Sequence, residues 1–295
     1  MGAVQTLVDY LLGGVANGAV IALIAVALVL TWRSSRVINF AQVGQAMITT
    51  YVALSVQQWT GSWLIALASG LAAGALLGLL AYALTLRPIR QLDASGTIIA
   101  TFGLLIALQS IAAMVWGGDL VAYPQPFPAS GIEIAGHVWP ISGYDLVVLG
   151  VAAALVIALT LFLTHTGVGL AMRASAVSPE VVRLSGIDVR KTLALGWAMA
   201  GAVGALAGVL IAPVTSLSPN SFDLLLILAF TAAVIGGLDS LVGAVVFGIG
   251  TGLLMSTVTG YSGAEDAPLA AVLLLALNLA LKPSGFFSRS SSREV

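Results

Sequence analysis

The chain has 295 residues with a net charge of −1; 59% are hydrophobic, 8% are charged and none is cysteine. Soluble domains carry roughly 25% charged residues, so a water-facing globule around one sealed core is excluded and much of the apolar surface must meet lipid. The missing cysteines exclude disulfides and thiolate metal sites. His137 and His165 are too few and too far apart for a metal cluster; no cofactor is expected and no nucleic acid partner is indicated.

The first apolar run is Tyr10 to Thr31. Ala25-Val26-Ala27 mimics a signal-peptide cleavage site, but Asp9 precedes the run and the first basic residue, Arg33, follows it. That is the reverse of a secretory signal, so a retained spanning helix is expected. Further apolar segments follow at 37–58, 62–86, 97–116, 144–165, 193–213, 224–237, 241–260 and 268–282. A span needs about 20 apolar residues, or fewer where a helix is broken inside the protein. Segments 224–237 and 268–282 are short enough to be half-helices or re-entrant. The expected fold is all-α: a polytopic transmembrane bundle of eight or nine spans over residues 1–283. The Ser/Arg-rich tail, 284–295, is expected to be disordered.

Lys and Arg accumulate in cytoplasmic loops. Placing Arg33 and Arg36 inside and alternating through the segments puts all eleven basic residues on that side. An external N-terminus and a cytoplasmic C-terminus are therefore expected. The external loop 117–143 is rich in Pro and Gly and reads as an irregular lid. Glycines recur at four-residue spacing (Gly14/Gly18, Gly70/Gly74/Gly78, Gly204/Gly208, Gly248/Gly252), a pattern that lets helix backbones approach closely. No Asp, Glu, Lys or Arg lies well inside any segment; Asp145 and Asp223 sit at external ends. Intramembrane ionisable groups usually mark proton-coupled carriers, so proton coupling is disfavoured and the energy source is expected in another chain.

Three stretches stand out. In 37–47, VINFAQVGQAM, the amides Asn39, Gln42 and Gln45 recur every third residue around Phe40, as one polar helical face would. Such a face is either a strip along a translocation path or a set of interhelical hydrogen bonds. In the inner loop 166–192, Ser178, Pro179 and Glu180 suit a helix start and Gly186 a left-handed end. They predict a short cytosolic helix with Val181, Leu184 and Ile187 on its apolar side and Glu180 and Arg183 flanking. It is either a docking knob for a soluble partner or a helix lying on the membrane. In 229–248, Gly236-Gly237 followed by Asp239-Ser240 predicts a tight turn at the inner surface.

INFAQ at 38–42, SPEVVRLSGID at 178–188 and AFTAAVIGGLDSLVGA at 229–244, in that order, resemble the LivH type of branched-chain amino-acid ABC transporter permease. The family's patterns look like INFAHGE, an inner loop ending in GI, and AFTAAVLGGIGSIPGA. This chain differs in having Val43-Gly44-Gln45 after INFAQ, Asp239 where the family has Gly, and Leu241-Val242 after the serine. The resemblance implies an importer subunit in a bacterial inner membrane. Its implied partners are a second, LivM-like permease, two cytosolic ATP-binding subunits and an extracytoplasmic binding protein. It also implies that Pro179, Glu180, Val181, Arg183, Leu184, Gly186 and Ile187 form the helix that couples to the ATPase. Asn39, Phe40, Gln42 and Gln45 would line the path for branched-chain or related amino acids, with urea or short amides as the alternative cargo. A sodium-coupled carrier is the rival class; it needs no ATPase dock. The chain has no phosphate-binding Gly-Lys-Ser/Thr loop and no nucleophile–base set within its spans. It is expected to be no enzyme.

Overall fold

The computed structural model describes residues 3–86, 94–127, 131–134, 137–281 and 285–287. Each of the nine apolar segments becomes a helix. They are α1 (Ala3–Ser35), α2 (Gln42–Thr60), α3 (Trp63–Ala81, continued by a wide turn over Tyr82–Leu86) and α4 (Ala94–Trp116), then α5 (Gly143–His165), α8 (Val189–Thr215), α9 (Asp223–Gly236), α10 (Leu241–Ser262) and α11 (Ala267–Leu281). The inner loop adds α6 (Gly167–Val177) and α7 (Pro179–Leu184). The fold is a helical membrane bundle, but among the described residues six helices are long and apolar enough to cross a bilayer alone, not eight or nine. The polar residues of α2 dilute its hydropathy, and α9 and α11 have only 14 and 15 residues.

The centre is built from α1 and α8, with the first two-thirds of α2 buried beside them. Glycine makes this density possible, as its spacing predicted. A side chain on Gly74 would collide with the Gly201 carbonyl across the α3–α8 contact, and one on Gly252 would meet the backbone of Gly18 across the α1–α10 contact. Around this core α3, α4 and α5 keep most of their surface outward. Such apolar exposure is what lipid contact requires.

Two ends are chemically distinct. At one, Trp197 Nε1 donates to Ser35 Oγ at 3.2 Å, and Arg36 meets Asp239. Every described basic residue (Arg33, Arg36, Arg173, Arg183, Arg190 and Lys191) belongs to the segments at this basic end. Arg87, Arg90, Lys282, Arg289 and Arg293 lie outside the described residues. At the other, acidic end, the Tyr10 hydroxyl donates to the Gly260 carbonyl at 2.9 Å, and Val121 bridges Leu217 through backbone hydrogen bonds. Asp9, Asp119, Glu133, Asp145, Asp223, Glu265 and Asp266 belong here.

Two loops are more regular than expected. Within 117–143 an antiparallel hairpin pairs β1 (Gly131–Ile134) with β2 (His137–Ser142). Ser142 then caps α5 reciprocally with Asp145, which consumes that carboxylate structurally. The inner loop 166–192 is largely helical. Thr166 breaks the chain after α5, and its hydroxyl accepts from Gly169 N at 3.0 Å to start α6. That threonine cap was a legible signal that periodicity alone passed over.

Candidate functional site

The amide stretch does not form one continuous helix. The chain leaves α1 at Arg36, whose φ is +56°, and runs non-helically to residue 41 before α2 starts at Gln42. Asn39 therefore stands outside the helix, contrary to the shared face its spacing suggested. Its Oδ1 accepts from Ala41 N at 3.1 Å and its carbonyl from Gln42 N at 3.2 Å, so it folds the turn that starts α2. Asparagine competes with helix in this way through its short side chain. Gln42 Nε2 donates to the Ala200 carbonyl at 2.9 Å, and Asn39 Nδ2 donates to Gln42 Oε1 at 3.3 Å. Ala200 lies eleven residues beyond the first residue of α8, so α2 begins about 16 Å into the bundle at 1.5 Å per residue.

Asn39, Gln42 and Gln45 are all essentially inaccessible. Asn39 and Gln42 spend their hydrogen bonds on packing. Gln45 does not: neither its Nε2 nor its Oε1 has a partner, and a buried amide in that state costs about 1–3 kcal/mol. Of the three, Gln45 alone keeps both amide atoms without a protein partner.

Phe40 does something its sequence did not announce. Its ring stacks on Phe102 of α4, centroids 4.5 Å apart, and tilts against Phe230 of α9 at 5.6 Å. Three elements distant in sequence thus close an aromatic rung between α4 and α9. Seven residues from Phe102 along α4, Gln109 Nε2 donates to Asp223 Oδ1 at 2.7 Å; Asp223 lies seven residues before Phe230 on α9. Seven residues are two helical turns, so each helix presents one face to both rungs. The i, i+7 spacing was present in the sequence, but nothing there paired the two helices.

The inner turn forms as expected, with Gly237 at φ +90° and Ser240 Oγ accepting from Gly243 N at 2.9 Å. Gly236 and Gly243 pack back to back with no room for a side chain. Asp239 pairs with Arg36 at 2.7 Å, so the residue that departs from the family pattern tethers the segment leading to Phe40. The turn is finished by the chain end: Phe286 N donates to the Ile235 carbonyl at 2.7 Å and Phe287 N to the Gly236 carbonyl at 3.3 Å. Residues 285–287, assigned to the tail, are thus packed; 284 and 288–295 lie outside the described residues.

Helix α7 forms over Pro179–Leu184 and ends in a paired-carbonyl cap. Gly186 N donates to the Arg183 carbonyl at 3.0 Å and Ile187 N to the Val182 carbonyl at 3.3 Å, with Gly186 at φ +78°. That is the Schellman arrangement. Val182, absent from the predicted set, is the buried anchor; Leu184 is 89% exposed and Ile187 36%. Arg183, Gly186, Ile187 and Arg190 line an open cleft of about 800 Å³ beside it. The side chains of Pro179, Glu180 and Val181 lie outside what is described.

Among the described residues no group of three His, Cys, Asp or Glu side chains converges to hold a metal. Residues 10–281 match the family described as branched-chain amino acid transport system permease component. The high-affinity branched-chain amino acid transport system permease protein LivH of Escherichia coli K12 is 30% identical over 298 residues, covering 96% of each chain. The probable branched-chain amino acid transport permease protein LivH of Methanocaldococcus jannaschii is 30% identical over 253 residues, 84% of this chain and 80% of that protein. A solved structure, PsaBC from Streptococcus pneumoniae in complex with Fab, aligns over 96% of this chain at 16% identity with a TM-score of 0.46.

Proposed function

The chain belongs to the family of branched-chain amino acid transport system permease components, and from that premise we propose that it is the LivH-type half of a two-permease translocation unit. Two cytosolic ATP-binding subunits drive it, and an extracytoplasmic binding protein delivers branched-chain or related amino acids to it. The basic end faces the cytoplasm, as the distribution of Lys and Arg favours, which puts the N-terminus outside and the C-terminus inside.

The observation that carries this reading is α7. Leu184 stands outward at the basic end of a capped turn, a placement that suits cover by a soluble partner. Val182 anchors the turn from below, so the knob is presented on a fixed base. The path runs between α4 and α9, past Phe40 and within reach of Gln45. The Gly236-Gly237-Asp239 turn sits at its inner mouth through the contact with Arg36.

The test is reconstitution. The chain is purified from its native membrane with its associated subunits and placed in proteoliposomes. Leucine uptake should require ATP and the binding protein. Uptake driven by a sodium gradient without ATP would replace this reading with a secondary carrier.

A further inference from the structure

At the acidic end a groove of about 490 Å³ opens between α4 and the loop joining α8 to α9, walled by Ile106, Gln109, Ser110, Ser218, Pro219 and Asn220. Ligand pockets span roughly 300–1,000 Å³. Its setting is unusual, because α4 is otherwise an outward-facing apolar helix with Ile106, Ile111 and Met114 exposed. Gln109 and Ser110 interrupt that surface on the groove side. Ser110 Oγ donates to the Ile106 carbonyl at 2.8 Å and Gln109 Nε2 to Asp223, so both side chains are partnered within the protein and each keeps an oxygen with spare acceptor capacity.

The polarity of the wall is fixed by what lies behind it. Asp223 Oδ1 accepts from Gln109 Nε2 at 2.7 Å, and the Asn220 side chain favours the charged form of the same carboxyl. A carboxylate only accepts, so Gln109 turns its N–H toward Asp223, leaving its carbonyl oxygen as the acceptor for a ligand. The groove thus offers acceptors backed by a negative charge. Asp119 follows Gly118 at its rim, and no described basic residue belongs to this end.

Resting on the permease reading above, we propose that this groove is the solute entrance and that Asp223, through Gln109 and Asn220, receives the ammonium group of an incoming amino acid. Ile106 lies on the same wall for an apolar side chain. Phe102, one turn further along α4, begins the aromatic rung with Phe40 and Phe230. The solute enters by its cationic end and passes the rung next.

The chain has no cysteine, so Ser110→Cys supplies one reporter thiol in the assembled transporter in intact cells. Cationic and anionic methanethiosulfonate reagents of similar size are compared. The cationic reagent should react about tenfold faster, and adding Asp223→Asn should remove most of that preference. In the same transporter Asp223→Asn alone should raise the KM for leucine uptake about tenfold at unchanged maximal rate, with Asp223→Glu retaining low KM. Equal rates for the two reagents, no labelling at all, or an unchanged KM overturns the proposal. If the unmodified transporter carries no amino acid, the permease reading fails, while the reagent ratio still decides whether the groove selects cations.

Discussion

Arg36 and Asp239, 203 positions apart in the chain, meet through a 2.7 Å contact between Nη1 and Oδ1 at the basic end of the bundle. Arg36 holds a left-handed backbone there, which costs an ordinary residue about 1–2 kcal/mol. The segment it starts leads within four residues to Phe40 and the aromatic rung. One partner is on the entry to α2 and the other on the α9–α10 turn, so the pair ties together two elements that would have to separate for the inner mouth to open.

Breaking this pair should change access more than stability. Both side chains are nearly half exposed, so the pair itself contributes about 1 kcal/mol or less. Arg36→Ala should leave the melting temperature within a few degrees of the parent. A thiol placed by Phe40→Cys should then react faster from the basic end in inverted vesicles. Charge exchange, Arg36→Asp with Asp239→Arg, should restore slow labelling. An unchanged rate in Arg36→Ala would mean that the pair restrains nothing at the path.

The buried and the exposed side of α7 should respond differently to one substitution. Leu184→Asp places a charge on a fully outward position, so the free protein keeps its fold. In the assembled transporter that carboxylate is desolvated without a partner at a cost of several kcal/mol. Co-purified ATPase and uptake should both fall. Val182→Asp buries the charge within this chain instead, and should reduce the amount of folded permease in the membrane. Arg183→Ala, with an exposed side chain, should cost about 1 kcal/mol or less in ATPase binding. Full uptake by Leu184→Asp would exclude α7 as the coupling element.

Gln42 and Gln45, three residues apart, should separate structure from transport. Gln42→Leu strips a partner from Asn39 and from the Ala200 carbonyl and should destabilise by about 1–3 kcal/mol. Gln45→Leu removes an amide whose nitrogen and oxygen are both unpartnered, so stability should hold or rise while leucine uptake changes. Thermal unfolding in detergent and uptake in vesicles measure the two. Loss of folded protein in Gln45→Leu would make it a packing residue like its neighbour.

Orientation can be read with single cysteines. Asp119→Cys at the acidic end should label with an impermeant reagent in intact cells, and Ser185→Cys beside α7 only after the membrane is opened. Ser175, on α6 of the same loop, is buried and unsuited. The reverse pattern would place α7 on the wrong side for a cytosolic partner.

Hydropathy made the helical segments legible because each needs only a run of apolar residues. It also marked the segments of α9 and α11 as short, but it could not place the start of α2. There a single asparagine turns the chain, through a local contest between side chain and backbone. Gly186 and the Gly236-Gly237 turn were legible because positive φ selects glycine. The apolar side was drawn through Val181 and Leu184 and passed over Val182, since which apolar residue of a six-residue helix points inward depends on what it rests upon. Phe102, Phe230, Gln109 and Asp223 stayed hidden for a related reason. Their role lies in pairing α4 with α9, and no local pattern encodes that pairing.

The hydrogen bonds that Phe286 and Phe287 give to the end of α9 set an order of events during synthesis. Gly236 leaves the ribosome 51 residues before Phe287, roughly 3–10 s earlier at 5–20 residues per second. Through that interval the carbonyls of Ile235 and Gly236 have no protein donor from this segment, and Phe247 lacks the two aromatic neighbours that later flank it. Helices α10 and α11 must enter the bilayer first. The turn that carries Asp239 is therefore sealed late, only after α10 and α11 have been made.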